Sequence, residues 1–313
     1  MTGFGTKAFT DPDDYRTRLV GAEVGLVVTG RPLFEAQLSW VDMRCLHLLA
    51  IEEKAPRVAF ISLPPASLVF SFTLARNAVL MWNGLGLQRG SFVLHASGER
   101  FHQRATGAVR WGLIAVSPQD LARYSCALLG ADLSRRPAGL LHPSARSFAE
   151  LLRLHAQAAH LARSRPALLA RPEVARALEQ DLIHALVTAL GSATTDSPNH
   201  TRRRRSAIMV RFEEALAAHD SALKLPALCA AIGVPERTLR VYCTEVLGCS
   251  PIEYARLRRL NRARSALLEA DHEATSVAEI ARSHGFSEPG RFAVAYRVLF
   301  GEAPLATLLR PPG

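Results

Sequence analysis

Arginines at helical spacing mark the last third of the 313-residue chain. Between positions 237 and 264 there are seven arginines and two glutamates, so 28 residues carry a net charge of +5 (7 − 2). Arg237 and Arg240 are three positions apart and share one face of a helix. A guanidinium can donate two hydrogen bonds to guanine, which contributes about 1–3 kcal/mol of discrimination, and Val241 could contact a thymine methyl. The spacing predicts a face that reads DNA bases, with solvated surface arginines as the alternative.

These arginines begin in the first of two helix-turn-helix patterns. A short helix over 225–231 meets Gly233, which suits a tight turn, and a second helix opens with Pro235 in its first turn. The apolar positions of this unit are spaced to pack against a preceding helix over 207–218. The remaining, non-apolar-core positions of the second helix share one face, which is expected to point outward. The predicted base-reading residues on this face are Arg237, Thr238, Arg240, Val241 and Thr244.

A long basic helix is predicted to follow, from Ser250-Pro251 through Leu268. Backbone N–H groups at the start of a helix are suited to a phosphate. Arginines recur every three positions along the helix. The predicted phosphate contacts come from Ser250, Arg256, Arg259 and Arg262. The helix would hold the two patterns in a fixed orientation.

The second helix-turn-helix pattern covers 276–301, with Gly285 at its turn and a second helix starting near Glu288-Pro289. The predicted outward residues are Arg291, Ala293 and Val294 toward bases and Arg297 toward phosphate. Few of these side chains can hydrogen-bond a base edge, so we expect this unit mainly to hold the DNA backbone. Two such units can enter successive major grooves, about 34 Å apart.

Composition restricts the class of protein. A hydrophobic content of 49% argues against disorder, and a net charge of +10 suits an anionic partner. Half of this charge lies in residues 201–313 (17 − 12 = +5). No segment approaches the roughly 20 apolar residues of a membrane span, and acidic residues stand where a signal peptide is apolar. We therefore expect a cytoplasmic protein without a membrane partner, with its five cysteines reduced.

In the earlier part of the chain, the sequence pattern changes near residue 130 from one typical of strands to one typical of helices. Before it, short apolar runs alternate with Gly, Pro and Ser turns, which predicts a β sandwich or small barrel. After it, two helical patterns carry leucines on one face, and this stripe could pack on the β structure or form a dimer interface. The predicted domains are 1–130 (β-rich), 131–191 (helical hairpin), 192–205 (linker) and 206–313 (DNA-binding).

Three motifs resemble those of a known family: LCAAIGVPERTLRVY, LGCSPIEYARLRRLNRARSALL, and VAEIARSHGFSEPGRF followed by LFGEAP. Together they resemble the AraC/XylS family of transcription regulators over roughly residues 207–310. The resemblance implies an α+β chain with a cupin-like sensor domain, a helical hairpin, a linker and an all-α DNA-binding domain. The base-contacting positions of the family correspond here to Arg237, Arg240 and Val241 in the first unit. In the second unit they fall near Arg291, Ala293 and Val294. Val294 is a departure, because many relatives have a polar or basic residue there.

The resemblance also implies partners. These are double-stranded promoter DNA, a second copy of the chain in a homodimer, an unidentified small-molecule effector and, for an activator, RNA polymerase. The candidate pocket residues in the sensor domain are Phe60, Phe70, Trp82, Phe92 and Trp111, with core packing as the alternative for most of them. A ligand-independent regulator and a sequence-independent DNA-binding protein are the competing interpretations.

A metal-dependent cupin enzyme fused to a DNA-binding domain is a further alternative. His95, Glu99 and His102 are residue types that bind iron or zinc. The metal-binding cupin pattern needs an HxH pair followed by a glutamate, and that pair is missing. GxSxG, Walker and HExxH motifs are also missing from the sequence. We therefore expect no metal, no cofactor and no enzymatic activity.

Overall fold

The computed structural model describes residues 3–16, 21–74, 80–196, 200–218 and 224–310. The strands are β1 (Phe4–Phe9), β2 (Glu23–Val28), β3 (Ala36–Asp42), β4 (Leu46–Glu53), β5 (Arg57–Ser62), β6 (Leu68–Thr73), β7 (Leu80–Trp82), β8 (Leu85–Leu87), β9 (Phe92–His95), β10 (Arg100–Ala105), β11 (Val109–Val116), β12 (Gly139–His142) and β13 (Thr194–Asp196). The helices are α1 (Pro12–Arg16), α2 (Pro118–Leu129), α3 (Ala145–Ser164), α4 (Pro166–Leu169), α5 (Pro172–Ser192), α6 (His200–Ala217), α7 (Leu225–Ile232), α8 (Glu236–Leu247), α9 (Pro251–Glu269), α10 (Val277–Ser283), α11 (Pro289–Phe300) and α12 (Pro304–Leu308). Parts of the predicted domains, at residues 1–2, 17–20, 75–79, 197–199, 219–223 and 311–313, lie outside the described residues.

The N-terminal half (the described residues of 3–196) is built from two antiparallel sheets. The larger has the strand order β1-β3-β4-β11-β6-β9-β12-β13, and the smaller has the order β2-β5-β10-β7-β8. Because side chains alternate across a strand, one face of the larger sheet packs on the smaller sheet and the other packs on α3 and α5. β6 lies inside this stack, and all six of its residues are buried. The predicted β-rich N-terminal domain is confirmed, with a third, helical layer.

A buried ion pair lies within the N-terminal half. Glu53 and Arg57 approach to 2.8 Å and are almost fully buried. Tyr15 and Trp111 donate further hydrogen bonds to Glu53, and Arg57 donates to the side chain of Gln103. These additional partners satisfy the charges, as burial requires.

The helical hairpin packs its leucines onto the larger sheet of the same chain. The Ser144 hydroxyl caps α3 by accepting from Ser147 N at 3.2 Å. The leucines of α5 belong to the core formed with the larger sheet; they are Leu178, Leu182, Leu186 and Leu190. Of the two interpretations of this stripe, packing on the β structure is the one observed. A dimer contact through the hairpin would therefore use its outer surface.

Two predicted boundaries differ from the structure. β12 pairs with β9 and β13, so the segment 131–191 continues the larger sheet instead of forming a separate unit. The predicted linker over 192–205 contains β13, and α6 already includes Arg202–Arg205. Three residues of β13 give no periodic signal, because their support comes from pairing with β12. α2 is a further helix that was not predicted, although Ser117 caps it and Gly130 ends it.

The C-terminal half (the described residues of 200–310) is helical, as predicted. α6 precedes two helix-turn-helix units, α7–α8 and α10–α11, which are joined by α9. α12 packs on α9 and closes the second unit. All five cysteines are free thiols. In the described part of the chain, no helix combines the length and apolar character needed to cross a membrane.

Candidate nucleic-acid interface

Both helix-turn-helix units have the glycine turns that the sequence predicts. Gly233 has a φ of 73° and Gly285 a φ of 74°, in the left-handed region that glycine adopts without strain. Pro235 has extended backbone and immediately precedes α8. The inner face of α8 is buried through Leu239, Cys243, Val246 and Leu247. Its opposite face is therefore fixed toward solvent.

The outward face of α8 carries the predicted base-reading residues. Arg237, Arg240, Val241 and Thr244 are exposed, and Thr238 is partly buried. Arg240 Nη2 lies 3.5 Å from Glu236 Oε2, an exposed pair that contributes little energy. The Thr244 hydroxyl donates to the Arg240 carbonyl at 2.9 Å, so its proton already has an acceptor. The face thus presents two guanidinium groups beside one apolar side chain.

The predicted phosphate residues of α9 differ in their surroundings. The Ser250 hydroxyl caps the helix by accepting from Glu253 N at 3.2 Å. Arg256 is exposed and lies 3.4 Å from the Glu253 carboxylate. Arg262 is also exposed. Phosphate binding by these residues stays a prediction.

Arg259 makes a structural contact that the sequence did not predict. Its Nη1 donates to the Gly285 carbonyl at 2.7 Å, and its guanidinium lies 4.8 Å from the ring centre of Phe286. Burial lowers the pKa of Arg259. These contacts join α9 to the turn of the second unit. They favour a positioning role for Arg259 over the predicted phosphate contact.

The outward face of α11 is more apolar than that of α8. Val294 is 66% exposed and Val298 is 69% exposed. Arg291 is exposed and lies 3.0 Å from the glutamate three positions before it. Ala293 is partly buried, and Arg297 is exposed. Val298 is an outward residue that the sequence pattern did not predict, although its spacing of four from Val294 places both on one face.

A buried carboxylate joins the two halves of the molecule. Glu213 of α6 accepts hydrogen bonds from His102 Nε2 on β10 (2.9 Å), the Tyr254 hydroxyl (2.6 Å) and Arg258 Nη1 (3.0 Å) on α9. Burial alone would raise the pKa of Glu213, but the hydrogen bond and charge of His102, with Arg258 and Tyr254, outweigh it and lower the pKa. Glu213 therefore stays ionised and holds donors from both halves.

Other contacts connect the N-terminal half to each reading unit. Asn261 of α9 donates to the Val28 carbonyl and accepts from Val28 N, both at 3.0 Å. Arg31 donates to the Arg297 carbonyl at 2.7 Å, near the end of α11. The N-terminal half therefore touches the spacer helix and the second unit as well as α6.

The end of α8 fits closely against β10. Gly248 ends the helix with a φ of 80°. A Cβ added to Gly248 would overlap the guanidinium of Arg104, whose side chain would have to move, and the positive φ itself favours glycine. Burial lowers the pKa of Arg104. The glycine both terminates the reading helix and admits an arginine from the N-terminal half.

A cavity of about 630 Å³ lies between the N-terminal half and α6. Its lining includes Trp82, Leu85, Val210, Arg100, Arg203, Arg205 and Arg211. The buried indole Nε1 of Trp82 has no hydrogen-bond partner within the described part of the chain. Leaving such a donor unpaired costs about 1–3 kcal/mol.

Most of the other predicted pocket residues do not line this cavity. Phe70, Phe92 and Trp111 are fully packed in the core, so the core alternative holds for them. Phe60 lies beneath the guanidinium of Arg100, whose Cζ is 5.2 Å from the centre of the phenylalanine ring. Of the five residues proposed from sequence, Trp82 is the one that reaches the cavity.

The structure brings together two of the three residues of the metal-site alternative, since His95 Nδ1 lies 3.6 Å from Glu99 Oε2, and it separates His102 from them. The His95 ring stacks on Phe101 with ring centres 4.2 Å apart. Glu99 accepts from a backbone N–H in its own turn at 2.9 Å. His102 donates to Glu213 of α6. Among the residues that the structure describes, no cluster of three His, Cys, Asp or Glu side chains could hold a metal ion.

Comparison with known proteins places the C-terminal half in a family. Residues 228–310 match a family model described as a helix-turn-helix domain. The chain is 38% identical over 81 residues to a probable thc operon regulatory protein of Rhodococcus erythropolis, covering 26% of this chain and 24% of the relative. It is 39% identical over 74 residues to the XylDLEGF operon transcriptional activator 1 of Pseudomonas putida, covering 24% and 22%. The similarity thus spans about a quarter of these curated relatives.

A solved structure extends this comparison. A probable AraC family transcriptional regulator from Rhodopseudomonas palustris CGA009 is 34% identical, with 34% of this chain and 100% of that chain covered and a TM-score of 0.31. Both glycine turns, the spacer helix and the outward face of α8 lie within residues 228–310. By the sequence of residues 228–310, the chain carries the helix-turn-helix domain of AraC/XylS-type transcription regulators.

Proposed function

We propose that the protein is a transcription regulator that binds promoter DNA in a sequence-specific manner. The observation that carries the proposal is the outward face of α8, where Arg237 and Arg240 lie beside Val241. Arginine pairs with guanine in the major groove, and an apolar side chain contacts the thymine methyl. The basic residues of α9 add attraction to phosphates that is independent of sequence.

The second unit supports a longer binding site. α9 connects the two units, which can engage successive major grooves about 34 Å apart. A homodimer would extend the site further, and we place its contact on the outer surface of the α3–α5 hairpin. RNA polymerase is the further partner if the protein is an activator, and the cytoplasm is the expected compartment.

We also propose that the cavity beside α6 holds a small-molecule effector. The arginines and apolar side chains that line the cavity favour a ligand with acceptor groups and an apolar body. A ligand with different affinities for two arrangements of the halves would shift the population between them.

The effector site is tested by dye binding to the full chain. Filling the cavity with Val210→Trp should abolish binding of the anionic dye anilinonaphthalene sulfonate. Leu128→Trp, outside the cavity, should not, and equal uptake by both variants would contradict this site.

The DNA-binding proposal is tested by selecting duplexes from a random pool with the full chain. Arg240→Ala should weaken binding to the selected duplex by about 1–3 kcal/mol and relax one base preference. Arg135→Ala is a matched control, because Arg135 is an exposed arginine that pairs with Asp132 three positions before it and lies outside the α3–α5 hairpin. We expect this control to bind like the wild type.

Each alternative predicts a different result. Equal losses on selected and random duplexes for Arg240→Ala would contradict its base-reading role. A pool without enrichment, together with a steep salt dependence, would favour a sequence-independent DNA-binding protein. Specific binding with an empty, ligand-insensitive cavity would favour a ligand-independent regulator.

A further inference from the structure

We infer that the second helix-turn-helix unit reads thymine methyl groups through Val294 and Val298. The inference rests on the proposed function, because it assigns a base preference to the same DNA site. The sequence suggested that this unit adds little discrimination, since its helix offers few hydrogen-bonding groups. In the structure, the outward face of α11 carries exposed apolar side chains, which can recognise a base without hydrogen bonds.

The two valines form an open apolar stripe on the folded chain. Val294 is 66% exposed and Val298 is 69% exposed, whereas Phe292, Tyr296 and Phe300 on the same helix are buried. The valines are four positions apart and are therefore neighbours on one face. Among the exposed large hydrophobic side chains of the described residues, these two have the highest exposed fractions, so both are available to contact another molecule.

The surroundings of the stripe favour DNA as that molecule. α11 contains two arginines, Arg291 and Arg297, and no acidic residue. Both arginines are exposed beside the valines. A Cβ added to Gly290, in the first turn, would meet no atom within 4 Å, so the start of the helix is unobstructed. Two valines offer far less area than the roughly 1,000 Å² of a specific protein interface, which favours a contact with small groups such as those on base edges.

The chemistry of the major groove identifies the target. The C5 methyl of thymine is the apolar group that a base pair presents there. Val294 and Val298 are separated by about 6 Å along the helix, at roughly 1.5 Å per residue. This distance corresponds to about two base-pair steps of roughly 3.4 Å. The second unit should therefore prefer thymines about two steps apart, with each buried methyl contributing about fourfold in affinity.

The test uses the full chain and a duplex that it has selected from a random pool. Each thymine in the half-site of the second unit is replaced in turn by uracil, which removes the methyl and keeps the base pair. We expect about fourfold weaker binding at two positions. Val294→Ala should lose sensitivity at one of them and Val298→Ala at the other. Leu309→Ala, exposed just after α12, should keep both sensitivities.

The possible failures are distinguishable. Uracil without effect, or valine variants that keep full sensitivity, would overturn the inference while leaving specific binding by α8 intact. Unchanged DNA binding with reduced transcription would overturn it in favour of a protein contact. A pool without any enriched duplex would contradict the proposed function itself. Thermal unfolding of each variant checks that these exposed substitutions leave the fold in place.

Discussion

Removing the buried carboxylate of Glu213 should weaken the attachment between the two halves. Glu213→Ala takes away the acceptor for His102, Tyr254 and Arg258. His102 and Tyr254 are each 1% exposed, so their donors would be left unpaired at a cost of about 1–3 kcal/mol each. Arg258 is partly exposed and can turn to water. We expect the free energy of unfolding to fall by about 3–5 kcal/mol.

Urea unfolding of the full chain, followed by circular dichroism and tryptophan fluorescence, measures this loss. Glu214→Ala is the matched control, because Glu214 pairs with Arg100 across the same boundary but both side chains are exposed. Its loss should stay below about 1 kcal/mol. Similar losses for the two variants would refute the reasoning. A double-mutant cycle with His102→Ala should give a coupling of about 0.5–3 kcal/mol.

Two further predictions concern acid stability and the end of α8. Burial lowers the pKa of His155 to about 4 from 6.5. The unfolded chain therefore binds the extra proton between these values, and stability falls by up to about 3 kcal/mol as the pH drops. His155→Gln should flatten this slope in urea titrations, and an unchanged slope would count against the assignment. Gly248→Ala should cost more than about 1 kcal/mol, because of its positive φ and the nearby Arg104. Gly290→Ala, with open space around it, should cost less in the same assay, and equal costs would contradict this account.

The two reading units could be predicted from the sequence because their signals are local. Gly233 and Gly285 mark the turns, and proline marks the starts of α8, α9 and α11 within a residue. Subtracting apolar positions at helical spacing then gives the outward face of α8. The same local rules identified the leucines of the hairpin, but they could not specify which surface the leucines would meet.

Contacts between distant segments could not be predicted in this way. His102 and Glu213 are 111 positions apart, and neither has a neighbour in sequence that indicates the other. Arg259 is recognisable as a basic residue, but its acceptor is a backbone carbonyl at position 285 that carries no sequence signal. Val298 could not be assigned to the outward face, because an apolar side chain in a helix is equally consistent with burial. These features depend on how the two halves dock, which periodicity does not encode.

The apolar core has a practical consequence for dividing this polypeptide. One continuous cluster of buried side chains includes Val28 and Trp82 as well as Phe212, Leu228 and Tyr254. A truncated protein starting at α6 would expose its share of this cluster to water and deprive Glu213 of His102. Failure of such a fragment in a binding assay would then report misfolding or aggregation, not a missing inducer site. Point substitutions in the intact polypeptide are the better way to separate its activities.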